Sequence, residues 1–535
     1  MAEPEVVNDV RAASIGSVVQ AGVIHGGVHH YSSDVAPRYR LDVVRPVDRE
    51  SLADLPPSHL LAAHRRVVEF TGRDAELAEL RQWRDDRRER AILLVHGPGG
   101  QGKTRLATRF AEECAQSGWP VRVASHVGDG HLADRGWEEV GTGALVVVDY
   151  AERWPVDDLL ALATHLGAVP VRLLLVARSA GWWAAVRHGF ADRGFATGQL
   201  RLGPLASGAS DRETLFDRAR DRFAEVLGVP DAYRGPRPAS LAEDSFALVL
   251  SVHMAALVAV DAHRRGVRAP EEPSKLSAYL LDRERAYWDR LHRAGRSAIR
   301  PATMARAVFT AILTRALPYR DAAAVLGELG VPSPSEPVDH VLEDHARCYP
   351  AADPDTVLEP LYPDRLAEDF LALMMPGHDV AGHEPDAWAS AVPKLLVTKD
   401  PPVPTEALRS ATTTLIEAAR RWPHLVERQV APLLRAHPHV ALAGGDVLSA
   451  LAELDGLDPT VLNAVEAVLP EERHIDLDTG IADLTSRLTR HRVAAGAARP
   501  PTPRCWSPRA TGPGTRAGTR RRWRRSMKVC ASDAC

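Results

Sequence analysis

Between residues 90 and 205 short apolar runs alternate with segments whose apolar positions recur every three or four residues. The runs Ala91–His96, Val121–Ala124, Gly143–Asp149 and Val171–Arg178 are brief and rich in β-branched residues, the pattern of strands buried on both faces. Helical spacing follows in Arg105–Ala111 and Asp157–Leu166. It also precedes them in Asp74–Trp83, where Leu77, Leu80 and Trp83 share a face and acids occupy the first turn. Leu200–Leu202 reads as an edge strand. Strand and helix in alternation predict an α/β fold, a parallel sheet sandwiched by helices. Ligands of such sheets sit beyond the carboxyl ends of the strands, and His96, Asp149 and Arg178 all fall there.

Beyond residue 210 the pattern is helical throughout. Helices are predicted over Glu213–Leu227, Leu241–Arg264, Lys275–Ala294, Pro301–Leu317, Asp321–Leu329, Leu358–Leu373, Thr405–Ala436, Ala441–Leu454, Thr460–Leu469 and Ile481–Ala497. Those between 405 and 490 are spaced like a short α-solenoid, without an alignable repeat. The expected organisation is a β-prone segment at 1–34, a proline-containing linker at 35–66 and an α/β domain at 67–208. A helical domain at 209–300, a winged-helix-like domain at 301–380, a helical repeat region at 381–498 and a basic tail at 499–535 complete it.

With 535 residues, 45% apolar and 25% charged, the chain has the composition of a globular protein large enough for several domains. Net charge is −4, but residues 499–535 carry ten Lys/Arg and one Asp, leaving −13 on the remainder. An acidic body argues against nucleic acid as a partner. Five cysteines without CxxC spacing fit a reducing compartment and argue against a zinc module. The start lacks a leader pattern, and the longest charge-free apolar run of the body, Ser245–Val260, is short for a membrane span; a cytoplasmic protein without a membrane partner is expected. For the tail two readings stay open: a disordered basic segment, or translation out of frame past about residue 498.

Residues Ala12–Ser33 contain no charged side chain. Val19, Gln20 and Gly22 lie in a β-branched, glycine-punctuated, proline-free stretch of the kind that stacks between chains as cross-β.

The sharpest chemistry lies at Gly97-Pro98-Gly99-Gly100-Gln101-Gly102-Lys103-Thr104, between a strand and a helix opened by Arg105. Glycines let successive backbone N–H groups turn inward around anionic oxygens, and the helix adds its positive N-terminus. Lys103 would reach the β- and γ-phosphates of ATP or ADP, and Thr104 with Asp149 would hold Mg²⁺. Lysine occurs at only five positions, so its use at 103 marks a need for a compact charge. Tyr150 follows Asp149, which makes Glu152 the first carboxylate able to orient a water, and slow hydrolysis is expected. Arg178, placed two strands from the phosphate loop by the expected order, would sense a γ-phosphate or else pair with Asp149 or Glu152. The backbone of Phe70-Thr71-Gly72-Arg73 would line an adenine pocket.

These motifs, over roughly 60–380, resemble STAND-class NTPases, the NB-ARC and NACHT relatives of AAA+ proteins. Leu202-Gly203-Pro204-Leu205 before an all-helical half adds to the likeness, and Val252–Leu257 stands where NB-ARC proteins have Gly-Leu-Pro-Leu, without its proline. Val19-Gln20-Ala21-Gly22 resembles the core of RHIM-like amyloid motifs. The resemblance implies an NLR-like switch that binds ATP or ADP, oligomerises with itself when triggered, and recruits a downstream effector through its N-terminal segment. A P-loop kinase or faster motor ATPase, and a transcriptional regulator of the same class, are the alternatives.

Overall fold

A computed structural model describes residues 38–43, 55–126, 143–166, 170–205, 208–235, 237–397, 405–470, 472, 474 and 476–494. The segment with Val19, Gln20 and Gly22, and the tail at 499–535, lie outside the described residues. The chain divides into two compact units, Met1–Leu488 and Thr489–Cys535, and the whole sheet lies in the first.

Four apolar runs become strands where the pattern predicts them, β2 (Arg90–His96), β3 (Val121–His126), β4 (Ala144–Val148) and β5 (Val171–Ala177); β6 (Ala196–Arg201) is longer than the expected edge strand at 200–202, and β1 (Tyr39–Val43) is an addition. They form one sheet in the order β1-β3-β4-β5-β2-β6, parallel except for the antiparallel β1–β3 pair. The two-residue period of a strand sorts neighbours to opposite faces. Ile92, Leu94, Val146, Val148, Leu173 and Leu175 join the core beneath α4 (Val156–Leu166) and α5 (Trp183–Asp192). Leu93, Val95, Leu145, Val147, Leu174 and Val176 join that beneath α2 (Asp74–Arg84) and α3 (Lys103–Gln116). Phe110 and Leu80 are fully buried in the latter, each contributing about 2 kcal/mol of transfer free energy.

The helical half contains α6 (Ala209–Val226), α7 (Val249–Arg265), α8 (Pro273–Arg293) and α9 (Pro301–Thr314). Next come β7 (Leu317–Pro318), α10 (Tyr319–Glu328), α11 (Val338–Cys348), β8 (Thr356–Val357) and α12 (Asp364–Met374), with β7 pairing β8. Then follow α13 (Ala387–Leu396), α14 (Thr405–Ala419), α15 (Pro423–Leu425), α16 (Ala431–Ala436), α17 (Gly445–Glu453), α18 (Pro459–Glu466) and α19 (Asp478–Ala494). One continuous apolar cluster runs from Leu60 to Leu488 through these helices.

Several expectations need correction. Within the expected linker at 35–66, Tyr39–Val43 forms the edge strand β1, and Pro57–Leu61 forms the short helix α1 on α7 and α8. The Ser58 hydroxyl there donates to the buried Glu284 carboxylate at 2.7 Å, and Tyr349 donates to the same oxygen at 2.6 Å. The helix expected from Leu241 begins at Val249, after two single 3₁₀ turns. The one expected from Leu358 begins at Asp364, because Pro360 and Pro363 lack the N–H a helix interior needs. Thr405–Ala436 is broken at Trp422-Pro423 for the same reason. The helix α11 adds to the expected set; Val338, Val341, Leu342 and His345 give it helical spacing.

Candidate functional site

The loop between β2 and α3 turns where backbone conformation demands glycine. Gly100 has φ +80° and Gly102 +82°, and a Cβ on Gly100 would approach Leu250 Cβ to 3.2 Å. Lys103, the first residue of α3, is almost wholly buried and donates to the carbonyls of Gly97 at 2.7 Å and Pro98 at 2.9 Å. Burial pushes its ammonium down to about 8, although Glu152 and Asp149 oppose that shift.

At the end of β4, Asp149 Oδ2 accepts from the Thr104 hydroxyl at 2.9 Å, and Oδ1 accepts from the Tyr150 N–H at 2.9 Å. The two residues expected to share a metal are therefore adjacent. A hydroxyl and a carboxylate are the hard oxygen donors that suit Mg²⁺. Among the described residues no group of three His, Cys, Asp or Glu could hold a metal. A P-loop magnesium needs none, since phosphate oxygens and water complete its shell. Tyr150 takes φ +53°, and this turn carries Glu152 back into the site. Its Oε1 accepts from the Arg178 N–H at 3.2 Å, while Oε2 is buried without a hydrogen-bond partner. Burial raises the carboxyl pKa of both Asp149 and Glu152.

Arg178 is one strand from the loop, not two, because β5 inserts between β4 and β2. A Cβ on Gly99 would lie 3.6 Å from its guanidinium carbon. Its charge pairs with neither Asp149 nor Glu152. It is held by Asp364 and Glu368 of α12, each at 2.7 Å, and by Glu417 of α14 at 3.6 Å. Asp364 is caged: Arg153 reaches Oδ2 at 3.0 Å and Arg315 reaches Oδ1 at 3.4 Å. Burial alone would raise its pKa, but these three arginines hold it far below the usual carboxylate range. Arg315 sits at φ +64°, ψ −176°, a region costly for any residue with a side chain.

Phe70 and Gly72 line a cleft of about 460 Å³ between α2 and α3 whose other walls are mostly charged, with Glu69, Asp74, Arg105, Arg109, Glu112 and Glu113 among them, and to which no residue of 97–104 contributes. Arg105 donates to the Val68 carbonyl at 2.7 Å. Arg73 does not line this cleft: its guanidinium binds Glu76 at 2.6 Å and the Gly203 and Gln101 carbonyls at 2.7 and 3.3 Å. It staples the chain before α2 to the loop. Gln101 is buried with its Oε1 unpartnered. The helical half meets the loop through Leu248 and Leu250, whose N–H donates to the Gly100 carbonyl at 3.1 Å. Both precede the Val252–Leu257 stretch the resemblance selected, which is largely buried within α7.

This is the fold and the phosphate loop of a P-loop NTPase. No family model and no curated protein matches the sequence. Among solved structures, NtrX from Brucella abortus in complex with ADP is 17% identical over 44% of this chain, with a TM-score of 0.28; the match spans 65% of that chain. The ORC2 protein of Aeropyrum pernix is 14% identical over 62% of this chain and 97% of its own, at TM-score 0.27. ORC1 of the same organism, in complex with DNA, is 17% identical over 60% and 94%, at 0.28. Among the described residues no helix is long and apolar enough to cross a membrane.

The charged residues around Arg178 that sequence reading missed are Arg153, Arg315, Asp364 and Glu368. Asp364 offered one signal, an acid opening a helix directly after a proline, but nothing in the sequence names its partners 186 and 211 residues away.

The depressed pKa of Lys103 has a measurable consequence. Phosphate oxygens favour the ammonium, so nucleotide binding at pH 8 should take up about half a proton. Affinity should then fall as pH rises from 7.5 to 9. Calorimetry in buffers of different ionisation enthalpy reads the uptake, and its absence would remove Lys103 from the phosphates.

Proposed function

We propose that this chain is a signal-transduction ATPase of the STAND kind, a switch whose nucleotide controls self-association. The observation that carries the reading is the double duty of Arg178. It stands against the phosphate loop at Gly99, where a γ-phosphate would meet it, and it is one of the cations by which α12 and α14 hold the α/β domain. Asp364 and Glu368 hold the arginine that a γ-phosphate would claim. ADP leaves that pairing intact; ATP competes for the arginine and loosens the helical half.

ATP hydrolysis resets the switch. Glu152, buried with one free carboxylate oxygen and a raised pKa, accepts a proton as water attacks the γ-phosphorus. The bond to the bridging oxygen breaks, and its electron pair leaves on ADP. Magnesium held by Thr104 and Asp149 would neutralise phosphate charge. Turnover is slow in this reading, because Glu152 is also tied to the Arg178 backbone.

Self-association gathers the N-terminal segments at high local concentration, and Val19, Gln20 and Gly22 then stack and recruit an effector. The segment leads into β1, which Arg40 ties to Asp353 of the helical half at 2.6 Å, so loosening that half bears on its attachment. Self-assembly is favoured over DNA regulation by α11, whose exposed face presents Asp339, Glu343, His340 and Arg347, no surface for a phosphate backbone.

Light scattering on the full chain tests the switch. A non-hydrolysable ATP analogue should produce oligomers that bind an amyloid dye, and ADP should not. Assembly indifferent to nucleotide would end the reading.

A further inference from the structure

Two guanidinium groups converge on a single oxygen of Asp364: Arg178 at 2.7 Å and Arg153 at 3.0 Å. Sequence reading gave only the first of them a part in nucleotide recognition. Arg153 belongs to the turn after β4 that also carries Glu152, and its planar group lies 4.1 Å from the centre of the Tyr150 ring. Stacking on a ring that is itself fixed by a positive-φ turn holds the guanidinium in one orientation at little further entropic cost. Its side chain keeps 18% of its surface accessible and Arg178 keeps 16%, whereas Asp364 keeps 9%. The carboxylate is thus seated inside a pair of arginines, both on the α/β domain, while Asp364 itself belongs to the helical half.

We infer that Arg153 is a second γ-phosphate ligand, acting beside Arg178 as a cis arginine that distinguishes a nucleoside triphosphate from a diphosphate. The inference rests on the reading that the phosphate loop takes ATP and ADP. An anion displacing Asp364 from Arg178 enters the same two-arginine fork, since both groups already point at one oxygen position. Three phosphate oxygens match that fork better than one carboxylate, and Arg315 is left to hold Asp364 through its other oxygen as the helical half retires.

The full chain with Arg153→Gln separates this from a purely structural role, because the two predict opposite signs. If Arg153 only fastens Asp364, its loss loosens the helical half and the ATP analogue binds as well or better. If it is a phosphate ligand, affinity for the analogue falls roughly tenfold or more while ADP affinity stays within about twofold. Arg153→Lys keeps a charge near Asp364 but loses the fork, and serves if the glutamine variant fails to fold. It should also lose discrimination, though less. Unchanged or improved analogue-to-ADP preference in the folded variants overturns the inference. Failure of the native protein to bind ADP as well would overturn the phosphate-loop reading first.

Discussion

Lys103→Ala is expected to give a folded protein that no longer takes up ADP or ATP, with affinity reduced roughly 100-fold or more. Each charge-assisted hydrogen bond to a phosphate contributes about 1.5–3 kcal/mol, and Lys103 stands where it can reach two phosphates. The fold should survive. The ammonium is desolvated, so its removal also removes a burial penalty. What remains uncovered are the Gly97 and Pro98 carbonyls, with Glu152 and Asp149 deprived of a nearby cation. Those losses cost about 1–2 kcal/mol, and both carboxyls, already raised by burial, answer by protonating more readily. Calorimetry with ADP decides the binding and a thermal melt decides the fold. ADP affinity within a few-fold of the native value would mean that phosphates do not sit in this loop. Light scattering with the ATP analogue should show the same variant monomeric.

The α/β half was legible because its signals are local. Buried parallel strands need continuous apolar runs, and Ala144–Val148 and Val171–Ala177 supply them without help from distant residues. The phosphate loop is likewise a local device, so Thr104 and Asp149 could be assigned to one site from strand ends alone. Sheet order was not local. Nothing within β5 states that it lies beside β2 rather than beyond another strand, and Arg178 was accordingly placed too far away. The edge strand β1 escaped because its five residues carry a charged pair, Arg40 and Asp42, on a strand exposed to solvent at its end.

The helical half was legible as helices and opaque as a partner. Its apolar spacing fixes which face of α12 turns inward, but Glu368 and Asp369 are buried polar residues on that helix, which spacing alone assigns to solvent. They are inside because arginines meet them: Arg421 binds Glu368 and Asp369 at 2.7 Å each, from α14's end. Burial of charge is tolerated only where an opposite charge is already in place, and such pairing is a property of the tertiary fold. Three positive-φ residues without glycine's licence, Tyr150, Arg315 and Leu358, belong to the same region. A sequence gives no warning of strain that the surrounding packing imposes.

Arg178→Ala should uncouple the helical half from the nucleotide. Glu368 would keep Arg421, and Asp364 would keep Arg153 and Arg315, so the damage is smaller than for an isolated pair. About 3 kcal/mol, the low end for a broken buried ion pair, is the expected loss, several degrees in melting temperature. The native guanidinium overcomes its own burial chiefly through Glu368 and Asp364, with Tyr150 and Glu417 adding to them, so the reciprocal loss to those acids is real. Hydrogen exchange should rise in α12 and α14 whether ADP or the ATP analogue is present, and the preference between the two ligands should shrink to what Arg153 alone supplies. Arg178→Lys, which retains the charge but forks less well, should lie between. A merely structural arginine predicts another result: a less stable protein whose preference between the two nucleotides is untouched. That result would leave Asp364 and Glu368 as cement between two halves, with no phosphate in competition for their partner.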